Sequence, residues 1–177
     1  DVDPWTWTAK TDGVPAGSVL IAVELNGAEC NPATIIDAAC AVRRNMRATQ
    51  TCRAAVVSFN ASKSITGLGG GAILTDDADH AALCRQILDQ GKANNDPTAP
   101  GIFGLNGRIH YVAAALVLSQ LARIDAIAER KAAIHARYRS RLTDCEWQSC
   151  QLAPWLAMPM LRSGRDAALA LERLSEA

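Results

Sequence analysis

The strongest case for chemistry lies in one stretch, Val56 to Asp77, VVSFNASKSITGLGGGAILTDD. An apolar, partly β-branched run leads into a short polar loop with one lysine, Lys63. Gly67, Gly69, Gly70 and Gly71 then turn the chain into a second apolar run, Ala72 to Leu74. That pattern is strand, loop, strand. Lys63 lies between Ser62 and Ser64, and no acidic residue occurs between Gln50 and Asp76 to pair with it. A lysine desolvated beside a site becomes a nucleophile for carbonyl carbon, which is Schiff-base chemistry. The same residues also describe a solvated loop lysine beside a tight glycine turn. The spacing meets neither the dinucleotide fingerprint nor the P-loop.

A second chemical group is Asp37, which closes the apolar run Ala33 to Asp37. Ligands in open α/β sheets gather beyond the carboxyl ends of strands, so Asp37 is placed to meet a cofactor. It also precedes the alanine-rich DAACAVRRNMRA as a helix N-cap would, and the two readings are compatible. Ser58, at the end of the strand into the lysine loop, reads either as a phosphate ligand or as a structural serine.

The elements that must position these groups follow an α/β order. Asp1 to Gly17 is rich in turns and carries Trp5 and Trp7 two residues apart. Ser18 to Leu25, SVLIAVEL, reads as a strand buried on both faces of a parallel sheet. Only Asn26 to Pro32 separates it from the Asp37 strand, whereas a parallel crossover takes a dozen or more residues. Either a crossover helix is absent between Asn26 and Ala33, leaving one sheet face uncovered, or residues are missing from the sequence there, and the second is the expectation. Ala54 to Phe59 is the strand before Lys63. Asp76 to Gly91 has apolar residues at helical spacing and a glycine stop. Lys92 to Gly107 is a long Gly/Pro/Asn-rich loop of the kind that carries function. Ile109 to Leu142 has a helical stripe long enough for two helices or one bent one, with His110 and His135 as surface or packing residues. Thr143 to Ala153 reads as a linker, Pro154 to Leu161 as a strand that Pro159 confines to an edge, and Ala167 to Ala177 as a helix.

Composition narrows the function classes. With 177 residues, 49% hydrophobic and 20% charged, the chain can bury one core. Its 18 basic and 18 acidic residues leave no electrostatic footprint for nucleic acid or an anionic membrane. The longest apolar run, Tyr111 to Leu118, falls far short of the roughly 20 residues of a spanning helix, and no signal-peptide pattern opens the chain. Cys30, Cys40, Cys52, Cys84, Cys145 and Cys150 form no CxxC pair and do not cluster with histidine, so no metal site is expected and reduced thiols in a cytoplasm are. The chain opens without methionine and closes on an unfinished helix, as a fragment would.

Four segments carry a family resemblance. Ser58-Phe59-x-x-x-Lys63, followed by Gly70-Gly71 and Thr75-Asp76-Asp77, resembles the Schiff-base lysine segment of the DegT/StrS family of pyridoxal-phosphate sugar aminotransferases. IIDAACA resembles its strand-end segment, in which an aspartate is followed by two alanines and usually a glutamine. Gly104-Leu105-Asn106-Gly107-Arg108 resembles the Gly-x-Asn-x-Arg segment that ends the family's mobile loop, and Asp1-Val2-Asp3-Pro4 its lead into a core strand.

The resemblance implies the large domain of a type I pyridoxal-phosphate-dependent transferase, aspartate aminotransferase-like and mostly parallel. Here it is incomplete over residues 1–148, with the start of a small C-terminal α+β domain over 149–177. It implies pyridoxal 5′-phosphate as cofactor, Lys63 as the catalytic lysine that holds it, and Asp37 as partner of the protonated ring nitrogen. Cys40 stands where glutamine usually meets the ring oxygen. Ser58 contacts the phosphate, and Asn106 reaches the phosphate of a neighbouring subunit, which makes the protein a homodimer with shared active sites. Arg108 holds the loop or the helix start. The activity implied is transfer of an amino group from glutamate or glutamine to a keto sugar, nucleotide-linked, in amino-sugar biosynthesis in the cytoplasm. The retained lysine disfavours the family's dehydratase branch. Asn60 and Gly69 depart from the usual residues, and the upstream phosphate turn and ring-stacking aromatic have no counterpart. Two other readings stand beside it: a catalytically silent structural or dimerisation module, and an α/β protein with an unrelated ligand.

Overall fold

The structure, a computed structural model, describes residues 3, 8–10, 13–27, 34–44, 46, 52–93, 96, 98, 101–149, 156, 158–161 and 164–175. Four short apolar runs form one sheet in sequence order: β1 (Ile21–Val23), β2 (Ile35–Asp37), β3 (Ala54–Ser58) and β4 (Gly71–Leu74). The first three are parallel, and β4 returns antiparallel to β3. Side chains alternate between the faces of a strand, so the register sorts them into rows. Ala22, Ile36 and Ala55 are paired across the sheet and all buried. Val57, Phe59, Ile65, Val117 and Ile124 join them in the core.

The opposite row departs from the expectation of strands buried on both faces. Val23 pairs with Asp37, Asp37 with Val56, and Val56 with Ile73. Val23, Val56 and Ile73 are 42%, 39% and 43% exposed. The helical residues in the core cluster, Val117 and Ile124, join the buried row, and the other row is the more exposed one. β1 and β2 nevertheless pair in parallel across a connection that includes a 3-10 turn, Leu25–Gly27, with Asn26 at φ +54°. Residues 28–33, where part of the sequence is expected to be missing, lie outside the described ones, as do Trp5 and Trp7.

The helices follow the sequence signals closely. α1 (Ala78–Leu88) is capped by Asp77, whose Oδ1 accepts from the backbone N–H of Asp79 at 2.9 Å and of His80 at 3.0 Å. It stops before Gly91, at φ +74°. α2 (Tyr111–Leu121) and α3 (Ile124–Arg141) are bent 69° apart, so the long periodic segment is two helices. His110 accepts from Val112 N–H at 3.2 Å and caps α2. No single helix among the described residues is long and apolar enough to cross a membrane.

The stretch read as a linker contains a strand. β5 (Glu146–Trp147) pairs antiparallel with β6 (Pro159–Met160), and the expected division after residue 148 falls between them. Packing accounts for the difference. The Trp147 ring meets His135 edge-on with centroids 5.2 Å apart, and Arg139 lies 5.6 Å from its centroid. α4 runs over Gly164–Ser175.

Candidate active site

β2 and β3 run parallel with Asp37 opposite Val56, so Ser58 follows two residues beyond it at the same end of the sheet. Beyond Asp37 the chain turns instead of entering a helix: Asp37 Oδ1 accepts from Ala39 N–H at 3.0 Å, and Ala41 N–H donates to Ala38 O at 3.0 Å. The capping contact is therefore present without the helix. This turn carries Cys40 back over the strand ends. It is anchored by Arg43, whose Nη1 lies 2.7 Å from Oε2 of Glu24, a carboxylate only 3% exposed at the end of β1. Arg44 makes a second tie, to Asp125 on α3, and that carboxylate's hydrogen bond raises the Arg44 pKa above its ordinary value.

The lysine loop is closed at its base and plugged at its tip. Phe59 N–H donates to Gly70 O at 2.9 Å, and Gly67 N–H to Phe59 O at 2.8 Å. Ile65 is fully buried beneath it. Gln120 on α2 accepts from Thr66 N–H at 3.1 Å through Oε1 and donates to Thr66 O at 2.7 Å through Nε2. Gly67 is required for this closeness, since a Cβ there would stand 3.1 Å from Ala113 O and from Val117. Ser58 Oγ accepts from Asn60 N–H at 3.3 Å, and Lys63 N–H donates to Asn60 O at 3.0 Å. Lys63 emerges half-buried, its Nζ 3.2 Å from Cys40 Sγ.

The fold thus gathers Asp37, Cys40, Ser58 and Lys63 at the carboxyl ends of β2 and β3. Asn106 stands elsewhere. It is exposed and lines a groove of about 490 Å³ with Gly67, Gly69, Gly70, Arg108 and Ile109. A second hollow of about 710 Å³ adds Arg85, Asp89 and Tyr111. Asn106 is delivered there by α1: Leu105 N–H donates to Ile87 O at 2.8 Å, Gly107 N–H to Leu88 O at 2.9 Å, and Gln90 N–H to Leu105 O at 3.0 Å. Arg108 holds this loop through Asp89, 3.2 Å away. Leu68, Ile109, Val112 and Leu116 give the groove an apolar rim. The Gln120 clamp and the Glu24–Arg43 pair escaped the sequence reading. A glutamine on an apolar helical stripe was the only signal for the first, and nothing marked the second.

A primary amine, a carboxylate and a hydroxyl converging on strand ends are the donor set that pyridoxal phosphate needs. The amine meets its aldehyde, the carboxylate its ring nitrogen, and the hydroxyl its phosphate. The residues present fit the group.

Solved structures have the same architecture. An aminotransferase from Brucella abortus matches with a TM-score of 0.79 at 21% identity over 99% of this chain and 56% of its own. NtdA from Bacillus subtilis, solved with bound cofactor PMP, matches at 0.82 and 20% over 96% and 45%. DesI, solved with its TDP-sugar product, matches at 0.69 and 28% over 84% and 43%. The chain therefore spans about half the length of these proteins.

The fold is that of the type I pyridoxal-phosphate-dependent transferases. Residues 27–162 match the family model directly, and the chain belongs to the DegT/DnrJ/EryC1/StrS aminotransferase family, whose cofactor is pyridoxal 5′-phosphate.

Proposed function

We propose that this chain carries the cofactor site of a cytoplasmic aminotransferase that moves an amino group from glutamate or glutamine to a nucleotide-linked keto sugar, in amino-sugar biosynthesis. The observation that carries this reading is Lys63 Nζ beside Cys40 Sγ, at the strand ends that also hold Asp37 and Ser58. The likeness to DesI, solved with a TDP-sugar product, supports the sugar class.

Bound pyridoxal phosphate supplies an aldehyde carbon for nitrogen exchange and a ring that withdraws electrons from it. Lys63 Nζ would hold the group through that carbon and would move a proton as general base and general acid. The Asp37 carboxylate keeps a proton on the ring nitrogen by charge. Ser58 Oγ donates to the phosphate, and Cys40 borders the ring. Asn106, with its apolar rim, serves the phosphate of a second copy in a homodimer. Residues 1–148 belong to the large domain and 149–177 open the small one.

The test is reduction with borohydride after adding pyridoxal phosphate to the purified chain. A visible absorption band and a reduced adduct mapped to Lys63, both lost in Lys63→Ala, are the expected result. A chain that takes no adduct is the silent module instead.

A further inference from the structure

The contact between Lys63 Nζ and Cys40 Sγ, 3.2 Å, joins the chain's nucleophilic amine to a thiol that no step of transamination uses. Both residues are half-buried, so neither is shut off from solvent. Both backbones are held. Gln120, Ile65 and the Phe59–Gly70 bond fix the lysine loop, and the Glu24–Arg43 pair and the Asp37–Ala39 contact fix the Cys40 turn. The Cys40 sulfur is therefore presented to the amine from two held backbones.

We propose that Cys40 and Lys63 are a reversible oxidative cross-linking site, which withdraws the lysine from the cofactor when peroxide is present. The proposal rests on the cofactor role of Lys63 for its consequence, but not for its chemistry. In the first step the Cys40 sulfur attacks hydrogen peroxide: an S–O bond forms, the O–O bond breaks, and water leaves. Sulfur loses two electrons to the peroxide and becomes a sulfenic acid. In the second step Lys63 Nζ attacks that sulfur, an S–N bond forms, the S–O bond breaks, and the hydroxide departs with an amine proton as water. A sulfenic acid condenses with a neighbouring nitrogen in this way to give a sulfenamide. A dithiol reverses it, because its thiolate attacks sulfur, the amine leaves with a proton, and the second thiol frees Cys40 as the dithiol closes to a disulfide.

The cross-link competes with the cofactor for one nitrogen. A chain already loaded with pyridoxal phosphate has its lysine engaged, so the switch acts on the cofactor-free protein and blocks loading.

The experiment treats the cofactor-free chain with hydrogen peroxide, digests it, and seeks by mass spectrometry a peptide pair joining Cys40 to Lys63, lighter by two hydrogens than its parts. Portions before oxidation, after it, and after dithiothreitol are then labelled at Lys63 with pyridoxal phosphate and borohydride. The expected result is a Cys40–Lys63 peptide, loss of the label on oxidation, and its return with dithiothreitol. Cys40→Ser and Lys63→Arg, each with the parent's circular dichroism, should both lack the cross-link. Cys40 found only as sulfinic or sulfonic acid, or a cross-link that persists in Cys40→Ser, overturns the proposal. A label without a cross-link overturns the switch alone. A cross-link in a chain that never takes the label overturns the cofactor role of Lys63 alone.

Discussion

Gln120 uses both ends of its amide on one backbone unit, Thr66, and so fixes the loop that presents Lys63. Gln120→Ala leaves the Thr66 N–H and C=O without their partner and should cost about 1–2 kcal/mol. The expected readouts are faster hydrogen exchange at Thr66 and weaker cofactor labelling of Lys63, with α2 still helical. His135 gives a pH dependence at the same scale. Burial and then the charge of Arg139 hold its pKa below the ordinary 6.5. Its contribution to stability is therefore present above pH 6.5 and is lost as pH falls through the lowered folded value. The Trp147 indole resonance should shift as β5 loosens under acid, and His135→Phe should remove that shift. At this scale the sequence marked Lys63 and Asp37 as candidates, because each ends or follows an apolar run. It did not reveal the Cys40–Lys63 contact, since 23 residues separate the pair and only the folded turn joins them.

Gly91 decides whether the end of α1 and the loop after it can lie together. It has φ +74°, and a Cβ there would overlap the carbonyl of Ile102, which is on the strand of loop that donates back to Gly91 O. Gly91→Ala combines a left-handed backbone with a backbone clash and should cost several kcal/mol. Thermal melting should show the loss, and hydrogen exchange should show residues 101–107 detached from α1. Gly101→Ala tests the same contact from the other side, since its Cβ would overlap Gly91 O. α1 was legible because its signals are local, apolar residues at helical spacing and a glycine stop after them. β5 was not, because two residues hold no period and the strand exists through Trp147 packing on α3.

For the whole molecule, order along the chain was legible and burial was not. Runs such as SVLIAVEL imply cover on both sheet faces, yet Ile21, Val23, Val56 and Ile73 are 39–59% exposed. The antiparallel return of β4 has a different consequence. β4 starts at the site end of the sheet, where Gly71 pairs with Ser58, and leaves the chain at the far end. α1 must bring it back, so its 11 residues act as a spacer with both a length and a phase. One residue inserted in α1 advances its end by about 1.5 Å and rotates it by about 100°. Asn106 would then be presented out of phase with the Gly67–Gly71 turn, while the helix itself remained intact. A single alanine inserted between Leu83 and Cys84 should preserve helicity and cofactor labelling of Lys63 yet abolish self-association measured by sedimentation. The timing of the helix, more than any side chain on it, would then set whether two copies can complete each other.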